Sequence, residues 1–150
     1  MEKEFLKNIL EQNKLTSSFS FNRVSNENAG LRLNDRAASV GFIFRHIGET
    51  MNLFTTFLGL TTDVQDTTMR RADSGQGKNT DESRRLIDQG FELLDQLIET
   101  TPDQEWLTII DTPFFGKVTR LRLFAHILFH NSHHGGQIAL TLSKGSGIAE

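Results

Sequence analysis

The sequence predicts an all-α protein, a bundle of four helices in a single domain spanning residues 1–150. Apolar residues recur every three or four positions over four separate stretches. Only two prolines, Pro102 and Pro113, interrupt the chain, leaving three long intervals free for helices. The aromatic weight lies in twelve Phe and one Trp with no Tyr, which suits packing between helices better than surface recognition. With 150 residues, 37% of them hydrophobic and 23% charged, the chain can bury a real core and leaves little room for a second domain.

The first helix is expected over residues 2–13, where Phe5 and Ile9 lead the helical spacing, with Leu6 and Leu10 as further members. Residues 14–34 are polar and irregular. The run Thr16 to Asn22 holds β-branched and aromatic residues with too little alternation for a strand, so it reads as loop, with a turn of helix near 26–30. From Asp35 to Gly59 the pattern is strongly helical, carried by Val40, Ile43, Phe44, Ile47, Met51, Phe54, Phe57 and Leu58. Met51 reads as a gap filler. Residues 61–79 are polar and form a linker or exposed loop, most flexible over 74–78. The third helix starts close to Thr80, where Thr80-Asp-Glu-Ser83 offers a hydroxyl cap and acids to the first turn. Leu86, Ile87, Phe91, Leu94, Leu97 and Ile98 form its face, and Thr100-Thr101-Pro102 ends it. Residues 106–110 are extended in character. Residues 111–116 are turn-rich and predict a short hairpin or a cover for the end of the bundle, with Phe114 and Phe115 as core plugs. The fourth helix runs from near Thr119 to about Ser143, ahead of the glycine-rich 144–147.

Charge excludes some functions. A net charge of −3 with 16 Lys plus Arg leaves no basic stripe for a nucleic acid. Arg70-Arg71 and Arg84-Arg85 are flanked by Asp66, Asp73, Asp81 and Glu82 and read as solvated faces. The absence of Cys fits a reducing cytoplasm, and it leaves any metal site to His and carboxylates. The mixed charge of Met1-Glu-Lys-Glu-Phe5 and the lack of a long apolar run predict a cytoplasmic protein with neither leader nor membrane span.

Four of the five histidines fall in nine consecutive positions, 126–134, and the fifth is His46. On a helical wheel the stripe Phe124, Ile127, Leu128, Asn131, Gly135, Ile138 and Leu142 has His134 and then His130 at its edge, with His126 and His133 farther round. Imidazoles at i and i+4 reach a common ion, and His46, on the flank of the second helix's stripe beside Thr50 and Phe57, supplies a third nitrogen. Taken alone, each of these rings is as well explained as a hydrogen-bonded packing residue, and His126 and His133 read as supporting or surface residues. Three neutral imidazoles leave positions open for water or substrate. Such a site suits a divalent ion, zinc or nickel, with iron or manganese as further choices. Its chemistry is Lewis-acid activation of a bound water or thiol. Glu49, one turn beyond His46, is the nearest carboxylate for general-base catalysis or for supporting a ligand, although an exposed helical Glu needs no such explanation. Gln137, one turn past His133 and His134, is placed to orient a ligand or to cap a polar edge.

These residues resemble the DinB/YfiT-like proteins, four-helix-bundle metalloproteins of bacteria. The resemblance is carried by Ser39-Val-Gly-Phe-Ile-Phe-Arg-His46-Ile-Gly-Glu, by Thr112-Pro-Phe, and by His126-Ile-Leu-Phe-His130-Asn-Ser-His133-His134-Gly-Gly-Gln137. It implies an up-down-down-up bundle, a homodimer packed through helices, and His46, His130 and His134 as metal ligands. It also implies a metal-dependent thiol S-transferase acting on small electrophiles with a low-molecular-weight thiol. A hydrolase using metal-bound hydroxide, and a non-enzymatic metal-binding stress-response protein, are the other readings. One position departs from the family pattern: Gly135 stands where an Arg is usual, which removes an anion contact or lets another helix pack closer.

Overall fold

The computed structural model describes residues 3–147. Among these, four helices, α1 (Lys3–Phe21), α2 (Val40–Phe57), α3 (Thr80–Thr100) and α4 (Arg120–Lys144), surround a core built on Leu10, Phe44, Ile47, Leu94 and Phe124. A 3-10 turn at Asp103–Leu107 and a two-stranded hairpin, β1 (Ile109–Thr112) and β2 (Gly116–Thr119), close one end. The hairpin is the one expected. Trp106, expected in extended chain, lies instead in the 3-10 turn with its ring buried edge-to-face on Phe124.

Contacts fix the helix directions. Lys14 pairs with Asp95 while Arg84 donates to the carbonyl of Phe21, so α1 and α3 run antiparallel. Asn13 donates to the carbonyl of Leu128, and Ser20 faces Gly135, so α1 and α4 run parallel. Asn52 donates to the carbonyl of Leu86 and Met51 packs on Gly90, whereas Gly48 sits against Leu86 and Ile87, so α2 follows α3 in direction. The order is up-down-down-up. Parallel α2 and α3 need a long return, which residues 58–79 provide.

Each start is chemically marked. Ser39 Oγ accepts from the Phe42 amide, Asn79 Oδ1 from Glu82, and Thr119 Oγ1 from Arg122, each relieving an unpaired first-turn donor. The cap of α3 is thus Asn79 rather than a hydroxyl within 80–83; Thr80 instead donates to Asn26 Oδ1.

Other expectations are corrected by packing. Helix α1 continues through Thr16–Phe21, because the small, buried Ser17 and Ser20 let it lie close against α4. A Cβ added at Gly135 would stand 3.2 Å from Ser20 Oγ, so Gly135 serves the close approach of α1. The buried face of α1 is Leu6 and Leu10, while Phe5 is 59% exposed. Arg84 is not on a solvated face: it holds the carbonyls of Phe21 and Val24 at the end of α1 and lies over the Phe44 ring. Met51 is fully buried, as expected of a gap filler, and Gly90 makes room for it, since a Cβ there would come within 2.7 Å of Met51 Cβ. Of the two expected plugs, Phe114 packs against the core and Phe115 stays partly exposed.

Candidate metal centre

Helices α2 and α4 run antiparallel and present their histidines to each other. His46 sits midway along α2, and His130 and His134 occupy successive turns of α4, all half-buried. Their ring centroids are 5.0 Å (His46 to His130), 5.0 Å (His46 to His134) and 4.3 Å (His130 to His134) apart. Nε2 of His130 lies 3.1 Å from Nε2 of His46. Each of the three rings offers a nitrogen within 4.8 Å of the others, and among the described residues no other three His or carboxylate side chains do so. The structure therefore brings together the three histidines singled out from the sequence.

The groups behind the rings set which nitrogen is bare. Glu49 is 1% exposed, so it is not the solvated helical Glu expected. A carboxylate only accepts, so the Thr68 hydroxyl donates to Glu49 Oε2 at 2.8 Å. Thr68 Oγ1 is then free to accept from His46 Nδ1–H at 3.0 Å, which leaves His46 Nε2 as a lone pair facing the other rings. On α4, His134 Nδ1–H donates to Gln137 Oε1 at 2.6 Å, again leaving Nε2 bare. Gln137 thus orients a ring. His130 Nδ1 is buried with no hydrogen-bond partner among the described residues, so that ring's polar engagement lies wholly inside the cluster.

Electrostatics keep the rings neutral. Burial, reinforced by the neighbouring imidazoles, pushes His130 down to about 2. Burial takes His134 to about 4, against the opposing hydrogen bond to Gln137. Burial also lowers His46, outweighing the attraction of Asp66 and Glu49. At neutral pH all three are unprotonated donors, and nitrogens about 3 Å apart are the spacing that bonds of ~2.0–2.1 Å to one divalent ion would produce. The donor set fits such an ion.

Thr68 is the residue that sequence reasoning missed. The segment expected to be an exposed linker is tied down here: the Thr67 amide and hydroxyl both donate to Glu49, at 2.8 and 2.7 Å, and Arg45 Nε donates to it at 2.6 Å. Asp66 Oδ1 accepts from the amides of Thr68 and Met69. An Asp two residues before a buried Thr is the only trace of this turn in the sequence. Glu49 touches the site only through Thr68. His126 lies at the edge of the cluster, its ring 6.1 Å from that of His130, and packs among Phe54 and Phe115 at 5.7 and 4.5 Å, lowered by burial. His133 is exposed, its ring 4.9 Å from His134. Beside His46 and His134, and lined also by Thr68 and Gln137, opens a cavity of about 380 Å³.

The family model of the DinB superfamily matches residues 13–138. No curated protein matches the chain. Several solved structures share the fold. YfiT from Bacillus subtilis, described as a probable metal-dependent hydrolase with an unusual four-helix bundle topology, superposes with a TM-score of 0.72 at 16% identity, over 95% of this chain and 86% of its own. A DinB-like protein from Bacillus cereus gives 0.69 at 16% identity over 96% of each chain. A conserved protein from Enterococcus faecalis gives 0.70 at 12% identity over 94% of this chain and 95% of its own. At these identities the likeness is one of fold.

Proposed function

The chain belongs to the DinB superfamily, and from that premise we propose that it is a metal-dependent enzyme transferring a low-molecular-weight thiol to a small electrophile. The observation that carries the reading is the convergence of bare imidazole nitrogens from His46, His130 and His134 beside an open cavity. These three would hold a divalent ion, zinc or nickel before iron or manganese by ligand type. Bound there, the ion supplies Lewis-acid chemistry, lowering the pKa of a thiol or water that reaches it. Thr68 and Glu49 hold His46 in one tautomer and one orientation, and Gln137 does the same for His134. Glu49 serves as a positioning residue, since its oxygens are engaged by Arg45, Thr67 and Thr68. In the transfer, the thiol gives its proton to solvent, sulfur bonds to the electrophilic carbon, and the leaving group departs with the bonding pair.

Hydrolysis is the second reading. It is favoured by the description of YfiT, a structure of the same fold, as a probable metal-dependent hydrolase. One experiment separates the two: metal-loaded protein is incubated with bacterial thiols and a haloarene, and separately with an activated ester without thiol. A metal-dependent thioether product is expected. Ester cleavage without thiol would favour hydrolysis, and no metal-dependent rate in either assay would remove both.

The active form is proposed to be a homodimer. The outer faces of α1 and α4 carry Phe5, Phe19 and Phe129, each more than half exposed, and a second copy would cover them.

A further inference from the structure

The cavity beside the histidines has an unequal lining. Leu33, Ala37, Phe42, Ile43 and Leu140 make its walls apolar, and Leu33 and Leu140, 42% and 50% exposed, stand where a bound molecule would cover them. His46 and His134 also line it. No carboxylate lines it, and Arg70 is its one charged residue.

Arg70 is unusual in three respects. Its φ of 57° makes it the one non-glycine residue with positive φ among the described residues, a conformation that Gly or Asn adopts at less cost. The fold imposes that conformation: Asp66 caps the turn, the Arg71 amide donates to the Thr68 carbonyl at 3.1 Å, and Glu49 anchors Thr67 and Thr68 just upstream. Its guanidinium carbon lies 5.3 Å from the centre of the Phe114 ring, and the side chain is exposed, which leaves N–H groups available. Among the described residues it has no carboxylate partner. Gly135 faces α1, so α4 brings no cation to this cavity from that position.

We propose that this cavity binds small molecules with an apolar body and a single carboxylate, with Arg70 receiving the carboxylate, and that the electrophile of the reaction belongs to this class. The last clause rests on the enzymatic reading above; the binding does not. A planar carboxylate matches the guanidinium fork, and the apolar walls take the remainder.

The test uses metal-free protein, so that a carboxylate cannot report on a bound ion, with octanoate and octan-1-ol as probes in calorimetric titrations at low ionic strength. Octanoate is expected to bind at least tenfold more tightly than the alcohol. Arg70→Asn, which keeps a side chain tolerant of positive φ, is expected to bring octanoate to the level of octanol and leave octanol unchanged. Arg71→Asn, one residue on and outside the cavity, should change neither. Equal affinities for the two probes in the unaltered protein, or an Arg70→Asn variant that binds octanoate normally, would overturn the assignment, as would an equal loss in Arg71→Asn. Failure of the enzymatic reading is separately visible, because it appears as absent metal-dependent turnover with octanoate binding intact.

Discussion

A threonine hydroxyl decides which nitrogen His46 presents. Thr68 donates to Glu49 and accepts from the ring, so Thr68→Val leaves His46 Nδ1–H only the longer 3.5 Å contact to Thr50 Oγ1 and loosens the ring. Metal affinity is expected to fall about 10–100-fold in that variant, with Thr68→Ser restoring most of it; competition with a chromophoric chelator measures both. His46→Ala, His130→Ala and His134→Ala should each lose bound metal on elemental analysis, whereas His126→Ala, packed among phenylalanines, should keep it. His130 and His134 were legible in the sequence because the wheel of α4 sets them apart by angle from His126 and His133, and His46 because it flanks the apolar stripe of α2. Thr68 was not, because its role depends on a return segment whose path is set by a buried carboxylate on another element.

At the scale of elements, the helices could be read more easily than their faces. Their number and order follow from apolar spacing and capping residues, but α1 carries apolar pairs at 5–6 and 9–10 that fit either of two faces. Only packing against its neighbours selects Leu6 and Leu10. Its second half stayed hidden for a related reason: Ser17 and Ser20 are poor helix signals, and their use is their small size opposite Gly135. Gly135→Arg is therefore expected to destabilise the protein by ~1–3 kcal/mol by forcing α1 and α4 apart, measurable by denaturant titration. Glu49 plays the corresponding part between α2 and the segment 66–70. Glu49→Ala removes the acceptor of four hydrogen bonds and should cost about 2–4 kcal/mol. Hydrogen exchange should show the amides of Thr67 and Thr68 losing protection first.

The whole molecule should respond to acid through its buried imidazoles. An unfolded histidine takes up a proton near pH ~6.5, but folded His134 does so only at about 4 and His130 at about 2. Between those values the unfolded chain binds more protons, so stability rises with pH and is lost on acidification, by up to ~1.4 kcal/mol per pH unit for each ring. The melting temperature of metal-free protein is thus expected to drop from pH 7 to 5, and to drop less in His130→Gln, as calorimetry at each pH would show. Among the described residues no helix is long and apolar enough to cross a membrane. The proposed homodimer would cover the exposed phenylalanines of α1 and α4. Phe129→Glu should shift sedimentation toward a monomer. The two Nε2 atoms at the centre of the cluster belong to residues 84 positions apart. An ion held there would act as a clasp across most of the chain. It would restrict the unfolded ensemble only after α4, the last helix, has docked, so an emerging polypeptide would acquire metal as its final folding event, and a chelator would release that closure before any helix melts.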